Sequence, residues 1–351
     1  MCALLLSDMG IDDSATAPRR ETLSLGRSGL LWGLLGVLAF SFTVPFTRVA
    51  VGAMEPLFVG TGRAVVAGVL AAIVLAVARP ARPRGRQWLS VAVVAGGVVL
   101  GFPVLTSLAL ETASASHSAV VIGVLPAATA VVAVIRGGER PSLGFWVCAG
   151  AGALAVAAFV ATSGPLGTVG VADLLVAGAV IAAAFGYAEG ALLARSLGAG
   201  FTICWALVVS LPVTTALTAT TQWPTAASPT QWAAFGYLAA VSMFLGFFAW
   251  YRGLAIGPIA RVGQVQLVQP VFTLAWAAML LGETITPVTI AGAVAVVACA
   301  AAAVRSRVRT NAPRPARDGD RQPRFRACSS ASGQQHATDS SAPSTKSSTR
   351  G

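Results

Sequence analysis

The chain has 351 residues, 56% of them hydrophobic and only 11% charged, with a net charge of +11 and a mean hydropathy of +0.76. Soluble globular chains carry about 25% charged residues, and no single water-exposed fold hides this much apolar surface, so the composition excludes a soluble protein and places the chain in a bilayer. Five scattered cysteines and two histidines, His117 and His336, offer no disulfide or metal spacing, so neither a histidine-built metal site nor a cofactor is expected.

Residues 1–27 carry a net charge of −1, with Asp8, Asp12 and Asp13 after a short apolar patch. A secretory leader needs a basic start and a longer apolar core, so this segment is expected to be cytoplasmic. From residue 28 to residue 304, ten apolar runs follow, each near the roughly 20 residues that cross the hydrocarbon. They predict helices over 29–50, 56–78, 88–109, 116–136, 142–162, 171–193, 200–220, 231–251, 260–281 and 287–304. The connector after the second run, RPARPRGR at 79–86, is the most basic. Later even-numbered exits carry Arg136 and Arg140, then Arg195, then Arg252 and Arg261, while the odd-numbered exits carry Glu55, Glu111 and Glu283 with no Lys or Arg. By the positive-inside rule both termini are expected on the cytoplasmic side of the cytoplasmic (inner) membrane. Residues 305–351, with a net charge of +7, are rich in Pro, Ser and Arg and are expected to form a disordered basic tail. Arg305, Arg307 and Arg309 lie where anionic lipid attracts each by about 1 kcal/mol. No aromatic residues are interleaved with them, so the bilayer rather than nucleic acid is the expected partner.

One stretch occurs twice. At a fixed offset of 144 residues, Pro126 falls on Pro270, Thr129 on Thr273, Gly138 on Gly282, Glu139 on Glu283 and Leu110 on Leu254. The chain is therefore read as a duplication, with repeats over 28–162 and 171–304. Five helices per copy is an odd number, so the second copy must be inverted relative to the first. Inverted repeats place a substrate site at their interface near the midplane and allow two near-equivalent conformations. The expected fold is thus all-α: a polytopic membrane protein of ten transmembrane helices in two inverted five-helix repeats.

Several residues are candidates for chemistry, each beside a structural alternative. Pro126 and Pro270 remove an N–H in mid-helix and free a carbonyl, as a static kink or as a hinge beside a cavity. Glu139 and Glu283 stand just before helix starts, where a carboxylate satisfies free N–H groups, so both are read as structural. Arg63 stands roughly 10 Å into the second helix at 1.5 Å per residue, a costly depth for a charge. It either binds an anionic substrate or pairs with Glu55 or Glu111. Glu189 is the acidic residue deepest in a predicted helix; it either takes up a proton during transport or pairs with Arg195 or another inner arginine. Gln264, Gln266 and Gln269 cluster before Pro270, and the last two share a helix face, facing a wet path or gluing helices together. Trp32 and Tyr187 are read as deep enough to stack on a substrate or to pack the core, whereas Trp88 and Trp250-Tyr251 are read as interfacial belt.

With these motifs in order, the chain resembles the drug/metabolite transporter superfamily in its EamA-type ten-helix branch. The residues behind the resemblance are Trp32-Gly33, Pro56 with Arg63, Leu125-Pro126, Gly138-Glu139-Arg140, Asp173-Leu174-Leu175, Gln269-Pro270 and Gly282-Glu283-Thr284-Ile285. Arg48 matches only loosely the polar residue that closes the first helix in such proteins. The resemblance implies a central cavity and export or exchange of a small metabolite, amino acid-like or drug-like, by alternating access. Protons are the candidate coupling ion, and a homodimer stays open. The competing readings are a membrane-embedded enzyme, whose nucleophiles or metal motifs the short loops lack, and a channel. No catalytic residue is assigned, and no P-loop points to ATP.

Overall fold

The computed structural model describes residues 20–137, 142–163, 170–256, 262–263 and 265–310. Glu139 and its Gly-Glu turn, Gln264, and the tail from residue 311 lie outside the described residues. Everything described is helix and connector, as expected of an all-α polytopic membrane protein, with no strand among the described residues. In chain order the helices are α1 (Ser28–Ala50), α2 (Pro56–Ala78), α3 (Gln87–Ala109), α4 (Ala115–Arg136), α5 (Leu143–Thr162), α6 (Val171–Leu197), α7 (Ala199–Ala219), α8 (Pro229–Ile256), α9 (Gln266–Leu281) and α10 (Pro287–Ser306). Among the described residues, nine of these are long and apolar enough to cross a membrane, and α9 is the shorter one.

Local chemistry sets the ends. Pro56, Pro229 and Pro287 each open a helix, where the missing N–H would have had no partner. Ser228 and Gln231 close a reciprocal capping box at the start of α8. Such a box satisfies two donors that the first turn leaves open. Gly282 ends α9 at φ +65°. A side chain there would be strained, and the turn it makes sends Glu283 sideways off the helix axis.

Five helices are interrupted, and the interruptions of α3 and α8, and of α4 and α9, match across the 144-residue offset. α1 breaks at Phe42, between helical segments Arg20–Ser41 and Thr43–Ala50. α3 carries a π-helical stretch over Ala95–Gly101, and α8 carries one over Leu238–Leu245. α4 breaks at residues 123–124, and α9 runs as a 3-10 turn over Gln266–Val268 before its α-helical part. Pro126 and Pro270, expected to kink their helices, lie at these interruptions. Each is the second residue of a fresh segment, Leu125–Gly137 and Gln269–Leu281, where a missing N–H costs least.

Packing joins the two halves of the chain helix by helix. α1 lies along α8, α2 along α7, α3 along α6 and α5 along α10, while α4 packs mainly on α6 and α10 and meets α9 through its first half. In the α3–α6 pair the backbones nearly touch. A Cβ on Gly97 would fall 3.0 Å from the Gly186 nitrogen, and one on Gly186 would fall 2.6 Å from Val98 Cγ1. At one end α5 and α10 form a second apolar cluster with α4, around Phe145, Ala130, Ala300 and Ala303.

Candidate functional site

The interrupted helices converge on a small central cavity. It is lined by Phe40, Thr43 and Val44 of α1, Arg63 of α2, Val98, Phe102 and Pro103 of α3, Leu125 of α4, Ala183 and Tyr187 of α6, Ser242, Met243 and Phe247 of α8, and Gln269 of α9. No described residue of α5, α7 or α10 reaches it. One wall is aromatic: Phe40 and Phe247 sit 4.8 Å apart between centroids, and Tyr187 lies 6.4 Å from Phe40 and 5.9 Å from Trp250. The other wall is polar, with Thr43 and Ser242 sharing a 2.7 Å hydrogen bond between α1 and α8.

Arg63 dominates this wall. It is 1% exposed, and its Nη1 reaches only the Thr47 hydroxyl, at 3.5 Å. Its Nε and Nη2 have no hydrogen-bond partner among the described residues. Neither Glu55 nor Glu111 pairs with it. Glu55 accepts from the Gln222 N–H at 3.1 Å, and the Glu111 carbonyl accepts from Arg48 at 2.8 Å. A guanidinium with unused donors beside a cavity has the hydrogen-bonding capacity to receive an anion.

A second small cavity adjoins the first and shares Val44, Leu125 and Gln269 with it. It lies between the two proline breaks, lined by Ala119, Ile122 and Pro126 of α4 and by Gln266, Gln269, Pro270 and Thr273 of α9. Gln266 Nε2 and Gln269 Oε1 are buried without partners among the described residues. One is a donor and the other an acceptor, so together they can orient a ligand's polar group or a line of water.

The break in α1 has its own chemistry. Pro45 has no N–H for the Ser41 carbonyl four residues back. The Thr273 hydroxyl donates to that carbonyl at 3.0 Å, and Trp276 Nε1 donates to the Ser41 hydroxyl at 3.0 Å. Sequence reading gave Ser41, Thr273 and Trp276 no role. The available signal was Pro45 at four residues after a serine, together with a threonine present in both copies.

Of the sequence candidates, Arg63, Tyr187, Gln266 and Gln269 line these cavities. Trp32 does not. It stands eight residues before Phe40, about 12 Å along the helix at 1.5 Å per residue, with the Arg252 guanidinium 4.9 Å over its ring. Trp250 and Tyr251 are not belt residues either: both are buried, because α8 runs on to Ile256 and carries them more than a turn inward. Trp88 is 42% exposed and sits edge-on to Trp205. Glu189 is buried and ion-paired, with Arg136 rather than Arg195. Glu283 caps a helix, though not the one that follows it. Its two carboxylate oxygens accept from the Ala115 and Ser116 N–H groups at 2.8 Å each, at the start of α4.

Comparison with known proteins adds to this geometry. The profile of the EamA-like transporter family matches residues 27–161 and again 170–305. "Uncharacterized transporter YdeK" of Bacillus subtilis (strain 168) is 44% identical over 290 residues, covering 79% of this chain and 97% of that one. A crystal structure of another protein superposes with a TM-score of 0.59 at 16% identity, covering 81% of this chain and 99% of its own, which is a likeness of fold.

Proposed function

Because the chain belongs to the EamA-like transporter family, we propose that it is a secondary transporter that exports or exchanges a small carboxylate-bearing metabolite by alternating access. The observation that carries this reading is Arg63, a buried cation with two unused N–H groups at the wall of the central cavity. A substrate carboxylate would meet its fork, Gln269 and Gln266 would orient a polar group, and Tyr187 with Phe40 and Phe247 would pack the apolar remainder. The cavity has room for about one or two waters, so this is a closed conformation, and loading requires the breaks in α1, α4 and α9 to flex. Two inverted repeats, 28–162 and 171–304, supply the paired states. The 144-residue offset of the proline breaks and the α1–α8, α3–α6 pairing support that arrangement. The arginine asymmetry of the loops supports both termini lying on the cytoplasmic side of the inner membrane.

The test is uptake of a labelled metabolite panel into proteoliposomes, with and without a proton gradient. Carboxylate-bearing compounds should be carried by the parent and lost in Arg63→Ala while the variant still inserts. Carriage of neutral or cationic compounds alone would overturn the assignment.

A further inference from the structure

Among the described residues two contacts join a basic to an acidic side chain, and both tie α4 to α6. Arg136–Glu189 does so at one end of α4 and His117–Asp173 at the other. Between them α4 is broken at residues 123–124, so each half of the helix has its own tie. The His117 pair is a single contact of 2.7 Å from Nε2 to Asp173 Oδ1. Asp173 is fixed independently, because its other oxygen accepts from the Gly170 N–H at 2.9 Å where α6 begins. The His117 ring rests on Phe159, 5.0 Å between centroids. The two side chains are 20% and 16% exposed, so protons reach them from the rim.

We propose that the His117–Asp173 pair is a proton-binding site whose occupancy holds the first half of α4 against α6 and keeps this rim closed. Histidine is the side chain that changes charge between pH 5 and 8. Proton uptake converts a hydrogen bond from a neutral imidazole into an ion pair, which strengthens the tie. Loss of the proton loosens it. The opposite tie, built on an arginine that stays charged throughout, does not respond. The other charged groups at this rim are already engaged: Glu283 on the Ala115 and Ser116 N–H groups, Arg48 on the carbonyls of Leu110 and Glu111. The remaining group here is the Glu111 carboxylate; α5, α9 and α10 contribute no charged side chain at this end among the described residues. The inference rests on the alternating-access reading, and its test needs no substrate, so failure of one is separable from failure of the other.

The reporter is Ser118→Cys, one residue beyond His117 on the same half-helix and buried in the closed rim, its rate taken above that of the five native cysteines in the chain without it. The full chain in proteoliposomes is treated with a membrane-impermeant maleimide, added to each side in turn. The labelling rate is compared with that of the same protein also carrying His117→Gln. Taking the ratio at each pH cancels the pH dependence of thiol chemistry. The variant should label about three- to fivefold faster than the parent near pH 6, with the ratio converging on about 1 near pH 8. Asp173→Asn, which keeps an acceptor for Gly170, should give the same convergence and guards against a folding defect peculiar to one variant. A ratio equal at both pH values, or a parent that never labels from either side, overturns the proposal.

Discussion

Replacing Arg63 by methionine should make the empty protein more stable while disabling it. Methionine fills similar space without a charge. Arg63 is 1% exposed, with Nε and Nη2 unsatisfied, so the folded state bears the cost of a desolvated cation that one weak contact to Thr47 does not offset. Apolar replacement of buried charges of this kind gains about 1–4 kcal/mol, which in a chain of this size is roughly 2–4 °C per kcal/mol in Tm. Substrate binding should move the other way. Two charge-assisted hydrogen bonds at about 1.5–3 kcal/mol each amount to roughly two to four powers of ten in Kd. Arg63→Lys should recover little, since a compact ammonium lacks the fork. The assay pairs thermal unfolding of detergent-solubilised protein with substrate-induced shifts in Tm. A methionine variant that melts lower than the parent, yet still transports, would show Arg63 to be an internal strut and refute the reasoning.

Three further outcomes follow from other contacts. Thr273→Val should lower stability by about 1–3 kcal/mol by stranding the Ser41 carbonyl, and Pro45→Ala, which restores an N–H in α1, should remove most of that loss in the double variant. Thermal unfolding checks this, and independent, additive losses would contradict it. Glu189→Gln should destabilise the protein and leave the pH profile of transport unchanged, with a double-mutant cycle against Arg136→Gln showing coupling of about 0.5–3 kcal/mol; additivity would dissolve the pair. Reporter fusions should place residues 83 and 310 in the cytoplasm and residue 226 outside, and an extracytoplasmic reading after residue 304 would end the inverted-repeat reading.

How far the sequence could be read depends on which physical signal each feature leaves. Helix spans follow from hydropathy, so α1 to α8 and α10 fall within a few residues of expectation, with the largest miss at the end of α8. Depth also shows in one dimension, and so Arg63, Gln266 and Gln269 could be nominated from position alone. Rotation about a helix and long-range partnership leave no such trace. Trp32 and Trp250 look alike in sequence, yet one lies under Arg252 at the rim and the other is buried in the aromatic wall. Glu283 precedes α10 but serves α4, 167–168 residues away in the chain, because the left-handed turn at Gly282 redirects it. The hydroxyl of Thr273 finds Ser41 only because α9 crosses the break in α1.

The pairing of α1 with α8 and of α2 with α7 sets a timetable for synthesis. At about 5–20 residues per second, roughly 10–40 s separate the emergence of α1 from that of the helix it must lie along. Through that interval the N-terminal half sits in lipid with its interior face unfilled, and Arg63 waits at membrane depth for the residues of α6, α8 and α9 that complete its cavity. Small residues and serine or threonine hydroxyls bonded to their own helix, such as Thr47 to the Thr43 carbonyl and Thr61 to the Leu57 carbonyl, let these faces tolerate hydrocarbon in the meantime. The second half, arriving last, is then less a second domain than the template on which the first is completed.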